Sequence, residues 1–163
     1  MDLLLASLKL EMDYPKTVGF LTVSYHGQDR RVFGCVKGIM EVLGVITGDV
    51  KRIGIFVPIP GMCKNSVYVA DVMIYPSVGE SLLKIGKLTN KNQHIAILIH
   101  TPDHYDFYKK ELLGRQAMRA RQLKKLGYRV MQIDASKVNK LQVMPGNLQS
   151  YIQSEYEKAL KSP

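Results

Sequence analysis

Apolar residues follow two different periods along the chain, one typical of strands and the other typical of helices. Residues 67–75 carry β-branched residues at alternate positions and are followed by Pro76, which predicts a strand. Residues 94–100 form a nearly continuous apolar run, typical of a strand buried on both faces. Residues 128–133 predict a third strand. Weaker strand patterns occupy residues 18–25 and 51–59.

Helical spacing separates these strands. In residues 31–43 apolar positions recur every three or four residues, and Gly44 is expected to end that helix. A second helix is predicted from about Lys110 to Leu126, with Gly127 directly after its last turn. Further helices are predicted at residues 3–10, 77–88 and 147–160. This order of elements predicts an α/β fold, with a small mixed sheet flanked by helices.

The positive charge of the chain is concentrated in one segment. The formal net charge is +9, and between Lys109 and Arg129 there are eight basic residues and a single acid, Glu111. Such a block suits a polyanion, because each neutralised phosphate releases condensed counterions. The alternative is a solvated helix face that serves solubility alone. The concentration of charge favours a nucleic acid as the partner.

Placing residues 115–126 about 100° apart around a helix axis separates them into two arcs. The arc expected to face the sheet contains Ala120, Leu123 and Leu126. The arc expected to face solvent and a phosphate backbone contains Arg121, Lys124 and Lys125. Arg119 falls among the apolar positions. Its guanidinium group therefore either extends along the surface to water or reaches inwards to a carboxylate, Asp71 or Glu41.

Asp71 interrupts the strand predicted at residues 67–75. A carboxylate within a strand is unfavourable unless it is exposed or paired. The sequence leaves both possibilities open: a position on an edge or solvent-facing side of the sheet, or a buried position with a cationic partner.

The sequence gives little support for a disulfide framework, a metal site or a membrane span. Cys35 and Cys63 cannot form a disulfide framework, and neither lies in a paired-cysteine metal motif. His100 and His104 are separated by Pro102, so a zinc pair on one helical turn is not expected. No apolar run approaches the about 20 residues that a membrane-spanning helix needs. These patterns predict no metal site and no membrane span.

Residues 113–130 read LGR-x3-R-x-R-x-L-x2-LGYRV and resemble a RAP domain, which also closes the proteins of the Fas-activated serine/threonine kinase (FASTK) family. Residues 94–105 (HIAILIHTPDHY) are similar to a RAP strand, and residues 67–74, with Asp71, resemble the strand that precedes RAP in FASTK-like proteins. The resemblance covers residues 35–151. It implies an N-terminal helix and strand extension at 1–30, a FAST-type segment at 31–93 and a RAP domain at 94–163, with 31–163 as one compact unit.

The resemblance implies a restriction-endonuclease-like fold of the PD-(D/E)XK type. Active members hold Mg²⁺ with carboxylates on two neighbouring strands. Here Asp71 would be the first carboxylate and Glu41 an accessory one, but Leu98 stands at the second-carboxylate position and His100 at the position of the lysine. We therefore expect Asp71, Glu41 and His100 to be a vestigial catalytic set. No cofactor is expected, and Mg²⁺ would be needed only if cleavage were retained.

The resemblance also implies work on RNA in the mitochondrial matrix, in RNA processing or mRNA stability, with the targeting segment outside this chain. The expected ligand is single-stranded mitochondrial transcripts. The residues expected to contact RNA are Arg115, Arg119, Arg121, Lys124 and Lys125, with Tyr105 available for base stacking. The alternatives are a metal-dependent endoribonuclease that uses Asp71, Glu41 and His100, and a module that docks on protein partners in RNA processing.

Overall fold

The computed structural model describes residues 30–59, 68–77, 93–108 and 110–161. In chain order the elements are α1 (Arg30–Thr47), a 3-10 turn (Val50–Arg52), β1 (Ile53–Ile59), β2 (Tyr68–Ile74), β3 (Ile95–His100), a second 3-10 turn (Pro102–His104), α2 (Gly114–Lys125), β4 (Arg129–Asp134), α3 (Ala135–Leu141) and α4 (Pro145–Lys161). The helices predicted at residues 3–10 and 77–88 and the strand predicted at 18–25 lie outside the described residues, apart from Ser77.

The strands form one mixed sheet in the order β1-β2-β3-β4. β1 and β2 are antiparallel, β2 and β3 are antiparallel, and β3 and β4 are parallel. Parallel neighbours need a crossover connection, which here contains α2. This architecture confirms the prediction of an α/β fold with a small mixed sheet flanked by helices.

Helices cover both faces of the sheet. On one face, residues of β2, β3 and β4 pack with α1, α3 and α4, as where Ile97 meets the core that includes Ile39 and Ile152. On the other face, Leu98 belongs to the core that includes Leu123 of α2. All residues of β3 are buried, which confirms the prediction of a strand enclosed on both faces.

β1 and β2 both change the face to which their side chains point, at Phe56 and Asp71. Phe56 has a φ of 51° and packs on the α1 side, and the next residue, Val57, packs on the α2 side. In β2, Val72 lies on the α1 side but Ala70, two residues earlier, lies on the α2 side. A non-glycine residue in the left-handed region costs about 1–3 kcal/mol, so this inversion needs compensating contacts.

Helix α1 continues past Gly44, where the sequence predicted its end. Its apolar spacing persists, and it ends at Thr47, where Gly48 takes a φ of 74°. A Cβ at Gly44 would lie 2.9 Å from Cγ2 of Val50, so the glycine permits a close approach rather than a helix end. Among the described residues, no helix combines the length and the apolar composition that crossing a membrane requires.

Two further boundaries differ from the sequence predictions. Helix α2 begins at Gly114 and not near Lys110, because Lys110 has a φ of 58° and belongs to a preceding turn that a right-handed helix cannot include. Helix α3 was not predicted. It is short, and its start is fixed by Asp134, whose carboxylate accepts a hydrogen bond from the backbone N–H of Ser136. The predicted C-terminal helix is confirmed, with Pro145 as its first residue.

Candidate nucleic-acid interface

The outer face of α2 is lined by cations. Arg115, Arg121, Lys124 and Lys125 are all exposed. Arg121 is three residues from Lys124 and four from Lys125, which places these three on one side of the helix, and Arg115 lies six residues earlier, in the first turn. From Arg115 to Lys125 the helix rises about 15 Å. Among the described residues, no acid forms an ion pair with any of these four. The prediction that Arg121, Lys124 and Lys125 face solvent is confirmed.

The inner face of α2 packs on the sheet. Ala120 and Leu123 are 5% and 1% exposed and belong to the core between α2 and the strands, and Leu126 packs against that core. The helix therefore has one face committed to the fold and the opposite face available to a ligand.

Arg119 points inwards, and this corrects its expected place among the RNA contacts. Its side chain is buried, and one guanidinium nitrogen (Nη2) donates a hydrogen bond to the backbone carbonyl of Val69. The same nitrogen lies 3.8 Å from Oδ1 of Asp71. Of the two possibilities left by the sequence, the structure shows the inward one, with Asp71 and not Glu41 as the carboxylate. A phosphate contact would require Arg119 to leave this buried pair.

Asp71 joins β2 to β3 where the two strands separate. The backbone ladder between them pairs Val72 with Ile97 and continues to Ile74 and Ile95. Beyond Ile97 the Asp71 side chain takes the place of the backbone carbonyl as acceptor: its Oδ2 accepts a hydrogen bond of 2.8 Å from the backbone N–H of Ile99. Asp71 is 1% exposed. The buried, paired alternative is therefore correct, and the exposed alternative is wrong.

His100 lies at the carboxyl end of β3, close to this pair. It is buried, and its Nε2 is 3.2 Å from Oε1 of Gln132 on the neighbouring strand. The pKa of His100 is lowered to about 4, chiefly by burial and in part by the charge of His104, while Asp71 and the bond to Gln132 oppose the shift. His100 is therefore neutral at pH 7.

Glu41 is not part of this cluster. It is exposed on α1, on the opposite side of the sheet from α2. There it lines a groove of about 340 Å³ together with Lys37 and Gln142. Of the three residues predicted as a vestigial catalytic set, the structure brings Asp71 and His100 together and leaves Glu41 apart.

These residues do not fit a bound Mg²⁺. Oδ2 of Asp71 is used by the Ile99 N–H, and Oδ1 faces the Arg119 cation, which would repel a second cation. Leu98, which stands where the sequence resemblance would place a second carboxylate, is apolar and fully buried. Within the described ranges, no group of three or more His, Cys, Asp or Glu residues is arranged to hold a metal ion.

Tyr105 is half-buried, which limits its use for base stacking. Burial raises the pKa of Tyr105 to about 12, and the charges of Asp134 and Tyr151 add to the rise. Its ring centroid lies 6.0 Å from that of His100. The side chain is therefore directed towards the ends of β3 and β4 rather than towards solvent.

Two exposed aromatic residues near Tyr105 were missed by the sequence analysis. Phe107 and Tyr108 are 79% and 88% exposed. They lie in a hairpin formed by residues 105–112, which we call the aromatic hairpin, and in which Lys109 is outside the described residues. The signal in the sequence was the adjacent pair itself, which lies between Asp106 and two lysines, in a segment that was mistaken in part for helix.

Comparison with protein families matches residues 97–153 to the RAP domain, about a third of the chain. The match begins within β3 and contains the aromatic hairpin, α2, β4, α3 and the first half of α4. Comparisons with curated proteins and with solved structures gave no match. RAP domains are commonly associated with RNA binding, and the matched residues include helix α2 with its cationic face.

The buried pair predicts a strong coupling between two substitutions. Asp71→Leu and Arg119→Met should each lower the free energy of unfolding by about 3–5 kcal/mol, because each leaves a buried charge without its partner. The double variant should recover about 1–3 kcal/mol relative to the sum of the two. Urea unfolding of the four proteins measures this coupling. Strictly additive losses would contradict the pairing.

His100 predicts a specific pH dependence of stability. Since the folded-state pKa is about 4 and the usual value is 6.5, the contribution of neutral His100 is fully present above pH 6.5 and is lost as the pH falls towards 4. The total loss is about 3 kcal/mol. His100→Gln should therefore lose less unfolding free energy between pH 7 and pH 4 than the natural chain does. Equal losses in urea unfolding would argue against a buried, neutral His100.

Proposed function

We propose that this protein binds RNA through the outer face of α2, within a nuclease-like fold that does not cleave its ligand. The observation that carries the proposal is the group of three exposed cations, Arg121, Lys124 and Lys125, on a helix whose opposite face is packed, with Arg115 exposed in the first turn. Each contact of a lysine or arginine with a phosphate releases counterions, which favours binding to a polyanion of any sequence.

The arrangement of these charges favours a ligand over a merely solvated surface. Arg121 is three residues from Lys124 and four from Lys125, distances at which like charges repel by a few tenths of a kcal/mol. Helix α2 contains no acidic residue that could relieve this repulsion. By contrast, the exposed Lys158 of α4 lies 2.7 Å from Glu155. A phosphate backbone along α2 would supply the missing negative charge.

The nuclease-like part of the proposal rests on Asp71 and β3. Asp71 on β2 accepts a hydrogen bond from Ile99 on β3, which lies between Leu98 and His100. The family that the sequence resembles would have its first carboxylate at Asp71, its second at Leu98 and its lysine at His100. Asp71 is held by Ile99 and Arg119, and the second carboxylate is replaced by Leu98. In this proposal the former catalytic position has become a structural support for α2.

The binding proposal predicts the effect of removing the outer cations. The triple variant Arg121→Ala, Lys124→Ala and Lys125→Ala should bind single-stranded RNA at least about tenfold more weakly. Its log-affinity should depend less steeply on log salt, by about 2 in slope, because each lost phosphate contact removes about 0.7. Fluorescence anisotropy at several salt concentrations measures both quantities.

A matched control separates local contacts from net charge. The variant Lys37→Ala, Lys140→Ala and Lys161→Ala removes the same charge from α1, α3 and α4, on the other face of the sheet. Its affinity and salt slope should stay close to those of the natural chain. If the α2 variant retains full affinity and slope, the cationic face is not the RNA site, and a docking surface for an acidic protein becomes the better explanation.

We propose, further, that the ligand is a mitochondrial transcript and that the protein acts in RNA processing or mRNA stability in the matrix, as part of a FASTK-like protein. Support for this comes from the resemblance of residues 67–74 and 94–130 to the FAST-type segment and RAP domain. Cross-linking of the natural protein to RNA in cells, followed by sequencing, should enrich mitochondrial transcripts. Enrichment of cytosolic transcripts instead would contradict this part of the proposal.

A further inference from the structure

We infer that the aromatic hairpin stacks an unpaired RNA base on Tyr108, with Phe107 packed at a right angle beside it, so that the RNA bound by α2 is single-stranded at this point. The inference rests on the proposed function and adds a base-recognition site to it. Its basis is the exposure of the two rings, 79% and 88%, whereas Tyr75, Tyr105, Tyr128, Tyr151 and Tyr156 are all buried at least in part. An exposed aromatic face is what a sequence-tolerant single-strand site requires.

Hydrogen bonds fix the backbone that carries these rings. Tyr105 and Leu112 form an antiparallel bridge, and the N–H of Asp106 donates to the carbonyl of Glu111 at 2.7 Å. The carboxylate of Asp106 accepts from the N–H of Tyr108 at 2.9 Å, an Asx turn that fixes the tip. A ligand therefore meets a preformed surface, and less ordering entropy opposes binding.

The two rings are supported by one another and by a cation. Their centroids are 5.4 Å apart with planes at 87°, and Nζ of Lys110 lies 5.4 Å from the centroid of Phe107. The perpendicular arrangement leaves Tyr108, the more exposed ring, with a face towards solvent. Lys110 supplies positive charge beside the rings, as phosphate contacts next to a stacked base require.

The hairpin is joined directly to the cationic face of α2. The N–H of Leu113, the residue before α2, donates to the carbonyl of His104 at 2.8 Å, which anchors the base of the hairpin to the helix start. Arg115 follows in the first helical turn. Of the nearby acids, Asp103 is paired with Arg31 at 2.8 Å and Asp106 is engaged in the turn, whereas Glu111 is exposed. Lys110 and Arg115 lie on either side of Glu111 in the sequence, so the stretch from Lys110 into the first turn of α2 is positive on balance.

An unpaired base fits this surface better than a duplex does. In a double helix the base faces are stacked on one another, and proteins read the grooves and the backbone. An aromatic ring at the tip of a hairpin can stack on a base only where that base is not already stacked between its neighbouring bases. The hairpin and α2 together therefore select single strands, with stacking at one end and phosphate contacts along the helix.

An abasic ligand tests the inference without changing the phosphates. The full chain would be titrated with an unstructured RNA of about 12 nucleotides and with an equally long abasic oligomer of the same charge. We expect the natural chain to prefer the base-bearing RNA by about 5- to 150-fold, the range for loss of one stacked base. The double variant Phe107→Ala and Tyr108→Ala should bind the two oligomers equally, with an unchanged salt slope.

Each outcome separates this site from the proposed function. If the aromatic variant still prefers the base-bearing RNA as strongly as the natural chain does, bases are read elsewhere and the inference is wrong. If the natural chain binds both oligomers equally, no base is recognised, and phosphate binding by α2 stands alone. If the natural chain binds neither oligomer, the proposed function fails, and the inference fails with it.

Two further variants serve as controls. Tyr108→Phe keeps an aromatic face and should retain the preference for bases. Val143→Ala with Met144→Ala removes exposed apolar surface (81% and 61% exposed) from the turn before α4, which is part of neither the hairpin nor α2, and should leave both affinities unchanged. Because the substituted residues are exposed, urea midpoints should remain close to that of the natural chain, which verifies folding. Loss of the preference in the Val143 and Met144 variant as well would overturn the stacking assignment.

Discussion

The position of α2 depends on one buried arrangement, in which the carboxylate of Asp71 stands between two separating strands. Oδ2 accepts from the Ile99 N–H in place of a ladder bond, and Arg119 of α2 reaches both this carboxylate and the Val69 carbonyl. Burying a charge is costly unless it is paired and hydrogen-bonded, so these partners are mutually necessary. The arrangement connects α2 to the centre of the sheet.

The buried position of Arg119 determines which residues of α2 are exposed. Once Arg119 and Leu123 are fixed inwards, the 3.6-residue period turns Arg121 and Lys125 outwards. The aromatic hairpin is then placed at the start of the same helix, because Leu113 is hydrogen-bonded to His104. Helix α2 therefore contributes to the buried polar cluster with one face and carries the exposed basic residues on the other.

The periodicity of the sequence predicted the enclosed strand β3 and the two faces of α2, because burial at those positions repeats with the period of the element. It could not decide the environment of Asp71, since pairing with Arg119, 48 positions later, depends on the tertiary fold. The aromatic hairpin was missed for a local reason. Lys110 adopts a left-handed conformation that its residue type does not indicate, so the helix was extended four residues too far towards the N-terminus.

The central claim is that RNA lies along the outer face of α2 and not elsewhere on the molecule. Backbone amide chemical shifts of the isotopically labelled chain, followed while single-stranded RNA is added, test it most directly. The account predicts that the largest changes fall in Gly114–Lys125 and in the aromatic hairpin, with α1 and α4 little affected. Changes concentrated around the groove of Glu41, Lys37 and Gln142, with α2 unaffected, would contradict it.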